Sequence, residues 1–418
     1  MTGAASWGGP HPIAVVGIGA DGWDGLGGPA RREIGAAEVL LGSERQLALI
    51  PAAESAADRV SWPSPLVPAL PGLLARFAGA RLCVLASGDP MFFGIGATLA
   101  RLVGAAALRV LPQPSSAALA CARLGWGLAE TPVVSAVGRR VETVLPELAH
   151  GRRLLVLSSD EHTPGRLAEL LARNGFGESR LTVLEQLGGP DEALATGVAA
   201  TWERAAGDAL NIVAVECVHD PGAPRLTRVP GLPDDVYAGD GQLTKHEIRA
   251  LTLSALAPAP GELLWDVGGG SGTIAIEWAR THPSCRAITF ERAESRRKQI
   301  AENAAALGVP GIEVLGAAPE SFGDSPAPQA IFIGGGLTGA GLFAACWDRL
   351  PMGGRLVANA VTAESEAQLT LLAARHGGTL RRFQVYRAEP LGGFTSWRPQ
   401  LPVTQWSVVK TEVPGSVS

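Results

Sequence analysis

One stretch constrains this chain more than any other. An apolar run at 263–267 is followed by Gly268, Gly270 and Gly272 on alternate positions, and then by helical spacing over 273–280. The short apolar run ended by glycines suits a strand buried on both faces of a parallel sheet. Ile274 and Trp278, four apart, share one face of the helix that follows. A strand that turns into a helix through glycines presents bare backbone N–H groups at a positive helix end, where a ligand can come close. The dinucleotide fingerprint needs a third glycine three places after its second, and Thr273 stands there instead. Taken alone, the loop fits a cofactor cradle and a glycine-rich turn of another doubly wound protein equally well.

Length and charge narrow the field. A chain of 418 residues exceeds one ordinary core, so two or three domains are expected. A net charge of -5 disfavours a nucleic-acid-coating surface. No uncharged apolar run approaches the ~18 residues of a membrane span, and residues 1–12 lack a basic start and an apolar core. Neither a span nor a secretory signal is expected. Cys83, Cys121, Cys217, Cys285 and Cys346 are scattered singly, which predicts no disulfide framework, no metal site and a reducing cytoplasm.

In chain order, a strand at 13–17 leads into Gly17-Ile-Gly19-Ala-Asp-Gly22, a literal G-x-G-x-x-G. No helix follows at once. A glycine-rich segment spans 21–28, Pro29 makes a natural first helical residue, and a helix is expected over 30–40 with a strand at 39–42. A strand at 82–86 ends in Ser87-Gly-Asp89-Pro90-Met91-Phe-Phe-Gly94, a sharp turn at a strand's carboxyl end, where open α/β sheets bind ligands. A strand at 108–111 precedes Pro112-x-Pro-Ser115-Ser116 and a helix that Ser115 or Ser116 caps. Strands are also expected at 154–159, 180–187 and 210–216, and an aperiodic connector at 219–237. Beyond it, Gln242 opens a motif in which Thr244 and Glu247 read as a capping box for a helix through Leu256. Strands at 286–290, 312–317, 330–333 and after Gly354, with a helix at 295–307, complete the second half, and 384–387 with 405–409 read as a final hairpin.

These motifs carry two resemblances. Gly17-x-Gly19, the Ser87–Gly94 turn and Pro112-x-Pro-Ser115-Ser116, in this order, resemble the tetrapyrrole methylase family over about residues 13–235. Ser158-Ser-Asp-Glu-His-Thr-Pro164 and Leu184-Glu-Gln-Leu-Gly188 resemble its cobalamin branch, although Val137 stands where that branch has a histidine. The spacing after Asp266 looks like motif I of class I S-adenosylmethionine (AdoMet) methyltransferases. Thr244-Lys-x-Glu247-Ile-Arg249, Phe332-Ile-Gly334, Ala358-Asn359-Ala-Val-Thr362 and Pro402-Val-x-Gln405-Trp406 resemble the decarboxylating methyltransferase domain of the same pathway. Relatives carry Asp where Ala317 stands.

The resemblance implies an α/β chain in three parts. An N-terminal two-lobed tetrapyrrole methylase fold would occupy 1–220, a linker 221–238, and a C-terminal Rossmann-like class I methyltransferase fold 239–418. It also implies two AdoMet sites per chain. The first would be built from Gly17, Gly19, Asp89, Pro90, Met91, Ser115 and Ser116. The second would use Thr244, Asp266, Gly268, Gly270, Gly272, Arg292, Gly316, Ala317 and Gly334, with Glu291 accepting both ribose hydroxyls. The implied reaction is methylation of meso carbons 5 and 15 of a reduced corrin precursor, with loss of carbon dioxide from the ring C acetate. Carbon 5 falls to the first domain; carbon 15 and the decarboxylation fall to the second.

Methyl transfer from a sulfonium to an enamine-like carbon asks mainly for alignment, and orienting two groups supplies effective molarities of roughly 10⁵ M or more. Decarboxylation asks for a protonated ring and a dry acetate pocket, with His246, Glu320 and Asn359 as candidate helpers. Arg139, Arg140, Arg382 and Arg398 are candidate forks for the carboxylates of a small-molecule tetrapyrrole, with Arg381 and Arg387 in reserve. A homo-oligomer is expected, with no nucleic-acid or membrane partner.

Three other readings compete. A base-modifying methyltransferase would carry an Asn/Asp-Pro-Pro-aromatic motif after Ile333, where Gly334-Gly-Gly336 stands. An NAD oxidoreductase is disfavoured by the spacing at Gly268. A half that only binds or scaffolds stays open because of Val137 and Ala317, and calorimetry of each half with AdoMet separates it from an active one.

Overall fold

The computed structural model describes residues 7–239, 241 and 243–411. Gln242, which opens the second-half motif, lies outside the described residues, as do 1–6, 240 and 412–418. The chain divides into two compact units, one formed by 1–141 and 149–221 and the other by 142–148 and 222–418.

The first unit contains two sheets. Its first lobe runs β1 (Ile13–Ile18), α1 (Gly28–Gly35), β2 (Val39–Gly42), α2 (Glu44–Ala48), β3 (Asp58–Ser61), α3 (Leu66–Arg76), β4 (Leu82–Ser87), α4 (Ile95–Val103) and β5 (Leu108–Leu111). These strands form an all-parallel sheet in the order β3-β2-β4-β1-β5. Every residue of β1 is buried, as expected of a central parallel strand covered on both faces. The second lobe runs α5 (Ser116–Leu124), β6 (Val133–Ser135), β7 (Arg153–Leu157), α6 (Thr163–Arg173), β8 (Arg180–Glu185), β9 (Ala193–Val198) and β10 (Asn211–Glu216). Its order is β6-β7-β10-β8-β9, with only β6–β7 parallel.

The second unit runs α7 (His246–Leu256), β11 (Leu263–Val267), α8 (Thr273–Thr281), β12 (Arg286–Phe290), α9 (Glu294–Ala306), β13 (Glu313–Leu315), β14 (Ala330–Ile333), α10 (Leu342–Arg349), β15 (Arg355–Ala360) and α11 (Ala363–His376). It ends in β16 (Thr379–Phe383), β17 (Tyr386–Leu391), β18 (Phe394–Pro399) and β19 (Val403–Val409). Its main sheet has the order β13-β12-β11-β14-β15-β19-β16. The chain steps outward from β11 through β12 to β13, then returns to lay β14 on the other side of β11. That reversal is a topological switch point, and it opens a crevice at the carboxyl ends of β11 and β14.

Several expectations need correction. The final hairpin is misassigned: β19 pairs antiparallel with β16, while β17 and β18 form a separate two-stranded sheet between them. Thr244 and Glu247 make no capping box. Lys245 is the N-cap of α7 without a side-chain bond, because Glu247 is drawn to Arg387 at 3.1 Å and the Thr244 carbonyl is held by Arg249. Helix α1 ends at Gly35, short of the expected 40, so the strand at 39–42 follows freely. Besides β16 and β18, the strands β3, β6 and β9 were not anticipated, each of these three at a sheet edge.

The connector is only partly loose. Leu232 and Tyr237 are buried against Ile276, Ala304 and Leu307 of the second unit. Glu277 organises that packing by accepting from Gly231 N at 2.6 Å, Leu232 N at 3.0 Å and the Tyr237 hydroxyl at 2.9 Å. Its charge is balanced by Arg249, itself fully buried. An aperiodic stretch is therefore held by two buried charges, with one short 3-10 turn at Asp234–Val236 as its regular structure.

Candidate active site

The second unit holds a cavity of about 1120 Å³ at the carboxyl edge of its sheet. Its walls come from the loop after β11, the end of β12, the turn at 317–320, the glycines after β14, and Asn359 near the end of β15. The main-chain trace of the glycine loop is dictated by contact. A Cβ on Gly269 would sit 2.1 Å from Thr289 Cγ2, and one on Gly268 would sit 2.9 Å from Gly335 N. Gly270 differs, because nothing lies within 4 Å of the position its Cβ would take. Its φ of +57° still favours glycine, so the loop presents bare backbone to open space.

Glu291 is wired into that loop. Its Oε2 accepts from Gly270 N at 3.0 Å, and its Oε1 accepts from Ala293 N at 2.9 Å. Each carboxylate oxygen thus keeps acceptor capacity for a further donor. Asp266, one strand over, is 1% exposed and receives Ala275 N–H at 3.3 Å. Burial pushes its carboxyl up to about 7 against that hydrogen bond, and the Glu291 charge adds to the rise. Asn303 ties the end of the connector to the glycine loop, donating to Ala238 O at 3.0 Å and to Ser271 O at 3.1 Å.

Of the second-half candidates, Thr244, Asp266, Gly268, Gly270, Glu291, Arg292, Ala317, Glu320, Gly334 and Asn359 line this cavity. Gly272 and Gly316 do not; Gly272 packs on Ile300 and Gly316 on Ser321. The Ala317 carbonyl already accepts from Ser321 N at 2.8 Å. His246 is absent from the wall and lies 3.4 Å from Glu247. Arg382 is engaged with Glu366 and Thr404, and Arg398 with Glu389; neither reaches the cavity. The cations that do line it are Lys245, Arg292, Arg296 and Arg387. Lys245, Glu247 and Arg296 were missed, although Lys245 and Glu247 sit inside the motif that begins at Thr244.

In the first unit the three glycine and serine motifs meet at the ends of β1, β4 and β5. Gly88 N donates to Ile18 O at 3.0 Å and Gln113 N to Gly88 O at 3.3 Å. A Cβ on Gly17 would lie 2.0 Å from Gly88 O, so this junction requires glycine. Asp89 Oδ1 accepts from Met91 N at 2.8 Å, which turns Met91, Phe92 and Phe93 outward as an exposed apolar rim. Ser115 caps α5 through Ala118 N at 3.1 Å, with Ser116 as the first helical residue. Gly19 lies against Asp21, and Pro90 packs under Gly94 and Gly96. Arg139 and Arg140 are exposed beyond β6, next to an exposed Val137. Arg45, which sequence reading missed, donates to Ser87 Oγ at 2.9 Å beside the same turn.

Among the described residues no cluster of His, Cys, Asp and Glu could hold a metal ion, and no helix is long and apolar enough to cross a membrane. The five cysteines are free and buried.

Comparison with known proteins adds an independent line. Residues 12–202 match the family described as Tetrapyrrole (Corrin/Porphyrin) Methylases, and residues 235–410 match the Precorrin methyltransferase domain. The chain is 52% identical over 401 residues to a precorrin-6Y C(5,15)-methyltransferase (decarboxylating) of Mycobacterium tuberculosis, covering 95% of this chain and 100% of that one. A protein of the same description from Sinorhizobium sp is 49% identical over 399 residues, covering 95% and 96%. A cobalt-precorrin-7 C(5)-methyltransferase of Salmonella typhimurium is 29% identical over 182 residues, covering 44% of this chain and 88% of its own. The chain therefore belongs to the decarboxylating precorrin-6Y C(5,15)-methyltransferase family.

Proposed function

We propose that each unit holds its own AdoMet and works on its own carbon. The first methylates carbon 5 of a precorrin-6Y-type tetrapyrrole, and the second methylates carbon 15 and decarboxylates the ring C acetate. The observation that carries this reading is the pairing of Glu291 with Gly270 on the floor of the second unit's cavity. Together they supply a carboxylate with spare acceptor capacity beside a backbone with no Cβ. These residues fit a nucleoside bearing a sulfonium, and when bound that group supplies an electrophilic methyl.

The chain's own residues bind and orient. Glu291 takes hydroxyl donors, Gly268 and Gly270 give backbone clearance, and Lys245, Arg292, Arg296 and Arg387 supply positive charge for the substrate's carboxylates. No residue need act as a strong base, because the reduced macrocycle is already nucleophilic at carbon. That a C(5) relative spans less than half of this chain supports giving one carbon to each unit. Equilibrium dialysis tests the stoichiometry. The full chain should bind two AdoMet and Glu291→Ala one, whereas one site in the unaltered chain would end the reading.

A further inference from the structure

Resting on the assignment of decarboxylation to the second unit, we propose that the side-chain amide of Asn359 holds the acetate that leaves as carbon dioxide. Thr252 and Gln405 are then positioning residues that fix this amide.

The hydrogen bonds around Asn359 have only one consistent direction. Thr252 Oγ1 donates to Ile248 O at 2.7 Å, so its oxygen can only accept from other groups. It accepts from Asn359 Nδ2 at 2.9 Å and from Gln405 Nε2 at 3.2 Å. Gln405 Nε2 spends its other hydrogen on Asn359 Oδ1 at 3.0 Å. Flipping the Asn359 amide would set nitrogen against nitrogen at Gln405 and leave its oxygen facing an occupied hydroxyl. The orientation of Asn359 is thus locked, and among the described residues one Nδ2 hydrogen remains unspent.

The lock has a visible cost. Gln405 is 1% exposed, yet its Oε1 finds no partner among the described residues. A buried amide that serves stability alone would satisfy its oxygen. Gln405 gives both hydrogens to Thr252 and Asn359 instead.

Position then assigns the ligand. Asn359 stands directly opposite Gln405 in the β15–β19 pair, and α7 brings Thr252 under both. Of this trio only Asn359 lines the cavity, with Val361 just after β15 and Val403 at the start of β19 also in its wall. The cavity's cations come from other segments, at Lys245, Arg292, Arg296 and Arg387. The wall therefore combines cations that suit carboxylates that are kept with neutral side chains at Asn359, Val361 and Val403.

Chemistry chooses between them for the carboxylate that is lost. The C–C bond to the carboxylate breaks and its electron pair passes into the protonated macrocycle. Carbon dioxide leaves uncharged, and the exocyclic carbon takes one proton from water to become a methyl group. Negative charge thus moves away from the carboxylate on the way to the transition state. A cation beside it would stabilise the ground state more than the transition state and slow the step. A locked neutral N–H holds direction without that penalty.

The test uses the full chain with AdoMet and precorrin-6Y, reading methyl gain and carboxyl loss separately by product mass, with AdoMet affinity by calorimetry. Asn359→Leu, which removes the oriented N–H and adds no charge, should cut carboxyl loss by roughly 100-fold, the scale of removing one oriented donor. AdoMet affinity should shift less than about twofold, a difference too small to matter on the tenfold-per-1.4 kcal/mol scale. Gln405→Leu should lower carboxyl loss in the same selective way. Thr252→Ser, which keeps the hydroxyl, should retain at least about tenfold more carboxyl loss than Thr252→Val, since only the former can hold the amide. Undiminished carboxyl loss in Asn359→Leu would overturn the proposal. So would a parallel fall in AdoMet affinity, which marks a structural role. Failure of the underlying assignment would look different: Glu291→Ala would still yield the carbon 15 methyl.

Discussion

Asp266→Asn converts a buried acid into its neutral isostere, and its effect on stability follows from the site. Asp266 closes β11, is 1% exposed, and has Ala275 N–H as its hydrogen-bond donor. Burial raises its pKa from 3.8 to about 7, with the Glu291 charge adding to the rise. Between those values the folded chain keeps a proton that the unfolded chain has released. The contribution to stability is therefore fully present below pH ~4 and is lost as pH rises through ~7. A displacement of about three pH units corresponds to about 4 kcal/mol. Asparagine carries no charge at any of these pH values and can still accept from Ala275. Guanidinium unfolding of the full chain, followed by tryptophan fluorescence of the second unit's transition, gives the difference between variant and parent. The variant's advantage should widen by about 3 kcal/mol between pH ~5 and pH ~8. A difference that stays constant across that range would refute the argument that burial keeps Asp266 protonated.

Two further predictions concern the scaffold. Gly269→Ala should destabilise the second unit by at least about 2 kcal/mol, the cost of overpacking against Thr289, whereas Gly270→Ala should cost only the ~1–2 kcal/mol of its positive φ. Paired denaturation curves check the order, and the reverse order would show that the loop is drawn wrongly. Arg249→Met should strand Glu277 and destabilise the unit by roughly 3–5 kcal/mol. Tryptic cleavage at Arg228 should accelerate as the connector detaches, and an unchanged cleavage rate would show that the pair does not hold it.

How much could be read beforehand depended on whether the signal was local. The β11 loop was legible because burial, the turn and the helix start are all encoded within a dozen residues, and Gly17 and Asp89 were legible for the same reason. Lys245, Glu247, Arg296 and Arg387 were harder. Surface-type side chains become cavity walls only through long-range folding, as when the β17–β18 hairpin carries Arg387 to Glu247 on α7. The capping-box expectation at Thr244 failed for that reason: a distant arginine outcompeted a local cap. Arg382 and Arg398 resembled substrate forks in sequence and are satisfied by Glu366 and Glu389. The connector's order was hidden too, since its partners, Arg249 and Glu277, are polar residues on helices whose apolar pattern does not announce them. Gln405 was visible only as part of a family motif, and its role depends on the register of β15 with β19.

The division of labour between the units is the central claim, and product analysis of Gly270→Leu tests it most directly. Nothing lies within 4 Å of the position a Cβ on Gly270 would take, beside Glu291, so a branched side chain there fills the room left for the cofactor of the second unit. The full-length variant, given isotopically methyl-labelled AdoMet and precorrin-6Y, should return a tetrapyrrole labelled at carbon 5 and unlabelled at carbon 15. A product labelled at carbon 15 would contradict the account.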